Sequence, residues 1–413
     1  MIRRLVQHSP GFLVLSLALA IHAAQAQTFS VIHRFKGSPS DGATPMASLI
    51  ADSVGNLYGT TQYGGAYGYG TAFELRPSLK LTVLHSFCPA PLCTGDGTEP
   101  LGGLLRDVAG NLYGTTVDGP GAARNGTVFR LSRTHSGQWN ETILYDFPNF
   151  GPYGPRGTLI SDSTGNLYGT TWGFDNVSGT GTVFKLAPSK SIPWKQTTLY
   201  TFTGGLNDGG GPMDGVTMDA AGNLYGTTYD GGIASHGTVF EVTPTLTPPW
   251  SETILHQFTA GNDGGYSTAG LLLDAQGNLY GTTESDGVNS GGVVFKLSRG
   301  GTETVLHAFC AVDAFTCSDG RAPVAGVIAD AQGNLYGTTQ WGGLGGGCEG
   351  RCGVVFKLDP LGNETVLYAF TGGADGGVPT GGLYMDAGGN LYGTTSTGGD
   401  PLCQCGTIFK ITP

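Results

Sequence analysis

The chain has 413 residues, 73 of them glycine, and a formal net charge of −11. That charge argues against a nucleic-acid partner, whose affinity rests on basic groups that neutralise phosphates. Glycine stands far above its usual share of about 7%. Much of the excess recurs at fixed spacing, so it speaks for turns and close backbone approaches rather than disorder.

The first 26 residues read as a secretory signal. Arg3 and Arg4 give the positive start, Phe12 to Ile21 the apolar run, and Ala24-Gln25-Ala26 a small-residue cleavage site. The apolar run is too short to span a bilayer. No cysteine follows it for a lipid anchor, and the chain stops at Thr412-Pro413 with no hydrophobic tail. Cleavage removes two of the 20 basic residues, leaving 18 against 31 acidic ones, a net charge of −13. The expectation is a soluble, monomeric protein, secreted or periplasmic, with no membrane span.

Residues 29–35, Phe-Ser-Val-Ile-His-Arg-Phe, form a lone strand-like run. From residue 45 the chain is periodic. Gly-Asn-Leu-Tyr-Gly-Thr-Thr occurs seven times unchanged, beginning at Gly55, Gly110, Gly165, Gly222, Gly277, Gly333 and Gly389. A period of 55 to 57 residues marks a repeat architecture. Each unit holds four runs of four to eight residues, rich in Val, Thr, Tyr and Phe and bounded by Gly, Pro and Asp. The first ends in Asp, as in Gly382 to Asp386, and the second is the heptapeptide. The third resembles Gly181 to Leu186 and the fourth Glu303 to Phe309. Asp-x-x-Gly-Asn joins the first run to the second in every unit, with Asp to cap the turn and Gly to take positive φ. Pro opens the first run in six units. Three positions later stands a small residue: Ser48, Gly103, Thr158, Gly215, Gly270, Gly326 or Gly382. Small side chains at one level suit strands crowded around an axis.

Apolar residues on both faces of the third and fourth runs imply sheets buried on both sides. Four-stranded antiparallel sheets packed around an axis make a β-propeller. The last unit has only its first three runs, within residues 380–411, and the lone opening run supplies the fourth. The reading is therefore all-β: residues 27–413 form one seven-bladed propeller, closed by pairing strand 29–35 with strands 380–411. A closed ring leaves no unpaired blade edge.

With its later Gly-Thr-Val-Phe, this unit resembles the Gloeobacter–Verrucomicrobia (GloVer) tandem repeat over essentially all of residues 28–413. The resemblance implies an exported bacterial protein and carries no chemistry with it. Members often end in a sorting anchor, and no such anchor is visible here. The Asp-x-x-Gly-Asn-Leu-aromatic hairpin is also similar to propellers of sensor ectodomains.

Candidate functional residues lie where the units differ. Loops from the fourth run to the first and from the second to the third should emerge on one face, and both sets vary, as binding loops on a rigid scaffold do. Asp41, Asp96, Asp208, Asp263, Asp319 and Asp375 each precede a glycine in the first set. A ring of carboxylates suits a cationic ligand; an Asp-Gly turn repeated for folding is the plainer account. Tyr63, Trp172, Tyr229 and Trp341 stand in the second set, as sugar-stacking rings or as packing beneath glycine-rich loops. Trp139, Trp194 and Trp250 precede fourth runs and read as structural. His33, His85, His256 and His307 share one repeat position with Tyr145, Tyr200 and Tyr368, which marks a packing slot rather than a metal ligand or base. No nucleophile elbow, zinc-protease helix or phosphate loop is present, and no cofactor is implied.

Eight cysteines in an exported chain point to disulfides. Cys88 and Cys93, and Cys310 and Cys317, are placed to staple their own loops. Cys348, Cys352, Cys403 and Cys405 lie in neighbouring units and admit local pairing, pairing across units, or metal binding. Two functions remain open. One is a non-catalytic module recognising a glycan or protein on its loop face. The other is a carbohydrate-active lyase or hydrolase, which requires two or more carboxyl groups converging at one asymmetric spot with a raised pKa.

Overall fold

The computed structural model describes residues 27–412 except 90–92, 94, 120–124, 149–150, 175–176, 311–316 and 345–350. The signal segment and Cys348 therefore lie outside the described residues. Among the described residues the regular elements are strands; four from each unit form seven antiparallel four-stranded sheets, the blades of a propeller, and a few two-residue strands pair beside them. Blade one runs outward from the axis as Ile50–Ala51, Leu57–Thr61, Thr71–Leu75 and Leu81–Ser86. Blades two to six follow the same order. Blade seven takes Tyr384–Met385, Leu391–Thr395 and Thr407–Thr412 from the end of the chain. Its outer strand is Thr28–Arg34, paired antiparallel with Phe29 opposite Ile411 and Arg34 opposite Thr407. The closure expected from the partial end units is thus present.

The innermost strands are shorter than the sequence implies, with only two residues of each in the ladder. The preceding residues turn to the axis and exchange hydrogen bonds with the adjacent blade instead. Thr60 Oγ1 donates to Gly102 O at 3.0 Å, and Thr227 Oγ1 to Ala269 O at 2.9 Å. The first threonine of all seven heptapeptides makes this bond, including Thr394 to Ala47 O across the closing seam at 3.2 Å.

The other heptapeptide positions have equally local reasons. The first glycine takes φ of 78–88° in the hairpin turn, where a Cβ would be strained. The asparagine amide donates to the turn Asp, as Asn278 Nδ2 does to Asp274 Oδ2 at 2.7 Å. The tyrosine hydroxyl joins the same carboxylate in all seven blades, at 2.9–3.1 Å. Leu279 and its equivalents are buried. The second glycine lies under a phenylalanine of the third strand. A Cβ on Gly281 would stand 2.6 Å from Phe295 Cζ and 2.7 Å from Leu271 Cδ2. Gly281→Ala should therefore cost about 1–3 kcal/mol through overpacking, as a shift of the urea midpoint at unchanged slope; an unshifted midpoint would refute this account.

Each seam between blades carries one apolar cluster. At its centre two phenylalanines meet edge to face, from Phe35–Phe73 through Phe370–Phe409, with centroids 4.9–5.4 Å apart. Such pairs add about 0.5–1.5 kcal/mol beyond area burial. Trp194 and Trp250 pack into these clusters near Tyr113 and Tyr168, and Trp139 joins a third, so all three tryptophans serve the seams.

Candidate functional site

The two variable loop sets do share one face. After the second strand of every blade the chain pairs with the loop that enters that blade, as in Ala43 with Tyr63, Thr98 with Asp118 and Arg321 with Trp341. The residue before each first-run proline, or before Ser267 in blade five, takes a left-handed φ of 55–66° in all seven blades. Five of these are not glycine: Thr44, Glu99, Tyr266, Ala322 and Val378. Backbone bonds on both sides hold the conformation, as with Glu99 N to Tyr69 O and Val117 N to Glu99 O. Such strain persists only where the surroundings over-determine it.

On the axis at this face lies a cavity of about 380 Å³, lined by residues of all seven blades. The small column predicted from the sequence forms its wall, with Ser48, Gly103, Thr158, Gly326 and Gly382 among the lining residues. Backbones meet here directly: a Cβ on Gly326 would stand 2.7 Å from Gly270 O.

Three charged residues break the sevenfold pattern, and all three line this cavity. Asp214 occupies a position that is Ala47, Gly102, Gly157, Ala269, Ala325 or Gly381 elsewhere. Its carboxylate accepts backbone N–H groups from three blades: Thr158 at 3.2 Å, Gly215 at 2.7 Å and Gly270 at 2.9 Å. Arg156 replaces Met46, Leu101, Met213, Thr268, Val324 or Thr380. Its guanidinium lies 4.9 Å from the Trp172 ring centroid, and its Nε is buried without a hydrogen-bond partner. Burial pulls its pKa down, against the opposing influence of Tyr153, Asp118 and Glu99. Glu284 follows the second threonine of its heptapeptide, where other blades have Gln62, Val117, Trp172, Tyr229, Gln340 and Ser396. Burial raises its carboxyl pKa.

The four aromatics singled out from the sequence divide by the two-residue period of a strand. Trp172 and Tyr229 stand in the same register as Glu284. Trp172 supports Arg156, and Tyr229 faces Tyr266 with centroids 5.0 Å apart. Tyr63 and Trp341 are one residue further on and are exposed, at 43% and 37%. Tyr63 Oη accepts from Gln62 Nε2 at 3.0 Å, and Arg321 lies over Trp341 at 5.9 Å. Single-sequence reading passed over Arg156, Asp214 and Glu284. Each is nevertheless the one charged residue in its aligned column of seven, which is the signal that finds them.

The six Asp-Gly carboxylates do not line this cavity. Five of them accept a backbone N–H from their own loop. Asp41 accepts from Lys36 N at 2.6 Å, Asp96 from Cys88 N at 2.8 Å, Asp208 from Thr203 N at 2.8 Å, Asp263 from Thr259 N at 2.9 Å and Asp375 from Thr371 N at 2.8 Å. The His or Tyr of the outer strand meets the same carboxylate. His33, His85, His256 and His307 lie 2.9–3.6 Å from Asp41, Asp96, Asp263 and Asp319, and Tyr368 Oη donates to Asp375 at 3.1 Å. The shared packing slot is therefore also the partner of the loop cap.

At four seams a glutamate from the next blade's outer strand faces this cap. Burial, reinforced by Asp96, pushes Glu141 up to about 9. Burial with Asp208 pushes Glu252 up to about 7, and burial with Asp263 does the same to Glu303. Glu364 also rises to about 7, chiefly by burial, with His307 opposing and Asp319 adding. Where the preceding loop lacks Asp-Gly, the glutamate position is Gln196.

Disulfides join Cys88 to Cys93, Cys310 to Cys317 and Cys403 to Cys405. Cys403 and Cys405 thus pair within their own loop rather than with the neighbouring blade. No free cysteine occurs among the described residues, and no helix there is long and apolar enough to cross a membrane.

Fold and site together define a seven-bladed propeller with an asymmetric pocket at one end of its axis. The chain belongs to the Gloeobacter/Verrucomicrobia repeat family, whose model matches residues 20–180, 134–316 and 311–413. Comparison with curated proteins gives no match. Among solved structures, a puromycin hydrolase is similar over 86% of this chain and 50% of its own, at 11% identity and a TM-score of 0.52. A luciferin-regenerating enzyme is similar over 94% of this chain and 95% of its own, at 13% identity and a TM-score of 0.45. A putative glucose dehydrogenase from Thermus thermophilus is similar over 76% of this chain and 94% of its own, at 15% identity and a TM-score of 0.43. The match to the hydrolase bears on the fold alone.

Proposed function

We propose that this protein is an exported binding module that takes an acidic saccharide in the axial pocket. The observation that carries the reading is the convergence of Arg156, Asp214 and Glu284, each the exception in its column, on one cavity. At about 380 Å³ the cavity is near the low end of small-ligand sites, about 300–1,000 Å³. That size favours one end of a glycan over a protein segment. Arg156 offers paired donors to a sugar carboxylate, and Asp214 and Glu284 offer acceptors to hydroxyl groups. Trp172 acts through Arg156 rather than as a bare stacking platform, because the guanidinium lies over its ring. Disulfides in three loops support an oxidising compartment.

The test is calorimetry against uronic-acid oligosaccharides. Arg156→Met and Glu284→Gln install residues that other blades carry in the same columns, so the scaffold is expected to persist. Each should weaken binding about 10–150-fold, the loss of a charge-assisted hydrogen bond worth about 1.5–3 kcal/mol. Undiminished affinity in both variants would remove this site from consideration.

A second reading draws on Asp214 and Glu284 lining one cavity, with Glu284 raised by burial. Two carboxyl groups in unlike surroundings are what acid–base cleavage of a saccharide requires. Release of reducing ends or unsaturated uronates from the same oligosaccharides, abolished by Glu284→Gln, would favour an enzyme over a binder.

A further inference from the structure

We propose that His85, Asp96 and Glu141 form a divalent-metal site, suited to Zn²⁺, that clamps blade one to blade two. His85 comes from the outer strand of blade one, Asp96 from the loop leaving it, and Glu141 from the outer strand of blade two. Their ligand atoms all lie within 4.8 Å of one another, the one such set among the described residues. His85 Nε2 is 2.9 Å from Asp96 Oδ2 and 3.6 Å from Glu141 Oε2. Zinc bonds of about 2.0–2.2 Å in tetrahedral geometry set neighbouring ligands about 3.4 Å apart, so the set closes on a metal with small side-chain movements.

A second observation points to a ligand independently of that spacing. The Glu141 side chain is only 10% exposed, and its Oε1 is buried without a hydrogen-bond partner. One nitrogen and two carboxylate oxygens match the donor preferences of zinc among common divalent ions. The His85 side chain is the most exposed of the three, at 19%, which leaves an approach for the ion and room for a water as fourth ligand.

The ring supplies its own control substitutions. Glutamine stands at the Glu141 position in blade three, as Gln196, and tyrosine at the His85 position in three blades. Glu141→Gln and His85→Tyr should therefore fold while each removes a ligand. The experiment strips untagged protein with a chelator and titrates it with ZnCl₂, reading stoichiometry by calorimetry and melting temperature in parallel. The expected result is one high-affinity Zn²⁺ per chain with a raised melting temperature, and affinity at least 10-fold lower in both variants. Absence of binding, or equal binding by folded Glu141→Gln and His85→Tyr proteins, would overturn the proposal.

Discussion

Removal of residues 28–35 is expected to leave a chain that no longer melts as one cooperative ring. Thr28–Arg34 is the outer strand of blade seven, and without it Thr407–Thr412 becomes an open edge that invites pairing with other chains. The segment also fills two seams. Phe29 stacks on Tyr368 of blade six, with centroids 3.6 Å apart. Phe35, fully buried, meets Phe73 of blade one at 5.4 Å. Phe35→Ala alone should cost about 3–5 kcal/mol, as for other buried phenylalanines. Thermal denaturation followed by circular dichroism decides the matter. A truncated protein with the melting profile of the full chain would disprove closure by the first strand.

A second large effect is expected from pH. In the folded ring Glu252, Glu303 and Glu364 titrate near 7, raised chiefly by burial, whereas the unfolded chain releases these protons near 4.3. The folded state therefore binds more protons between these values. The stability they contribute is fully present below the unfolded value and is lost as pH rises through 7. With a discount for partial solvent exposure, the three together put the loss at about 3–5 kcal/mol between pH 5 and pH 8. The hairpin aspartates act in the opposite sense. Burial raises Asp162, but hydrogen bonds from Asn166 and Thr164 outweigh it and bring it to about 2. Its equivalents Asp52, Asp107, Asp219, Asp274, Asp330 and Asp386 are lowered in the same way. Their contribution is present above the unfolded value near 3.9 and is lost as pH falls through their folded values. Stability should thus peak between about pH 4 and 5. Replacing Glu252, Glu303 and Glu364 together by glutamine should flatten the alkaline limb. A melting temperature equal at pH 5 and pH 8 in the parent protein would contradict the argument.

The fold was legible because its determinants are local and repeated. Asp-x-x-Gly-Asn writes the hairpin into each unit, and the partial units at the two ends write the closure. The small column from Ser48 to Gly382 announced the axis. What escaped were relations between blades. The first threonine of Gly-Thr-Thr bonds a carbonyl some 42 residues further on, and nothing in the heptapeptide names that partner. The joint appearance of Asp-Gly and the next unit's glutamate, as in Asp208 with Glu252, has meaning only once the blades are side by side. The site was half legible. Trp172 and Tyr229 stood out as aromatics, whereas Arg156 and Asp214 look ordinary until seven columns are aligned on the axis.

The hydroxyl bond from Thr394 to Ala47 has the same form as the six made between consecutive units. Each blade reaches forward to the next, and the chain's two ends meet through one more copy of the same contact. For the scaffold, then, the starting point is arbitrary: a circularly permuted chain opened between the third and outer strands of any other blade would keep the same strand pairings and seams. The pocket has no such freedom. It depends on which blades are neighbours: Arg156, Asp214 and Glu284 line one cavity only while units three, four and five keep this cyclic order.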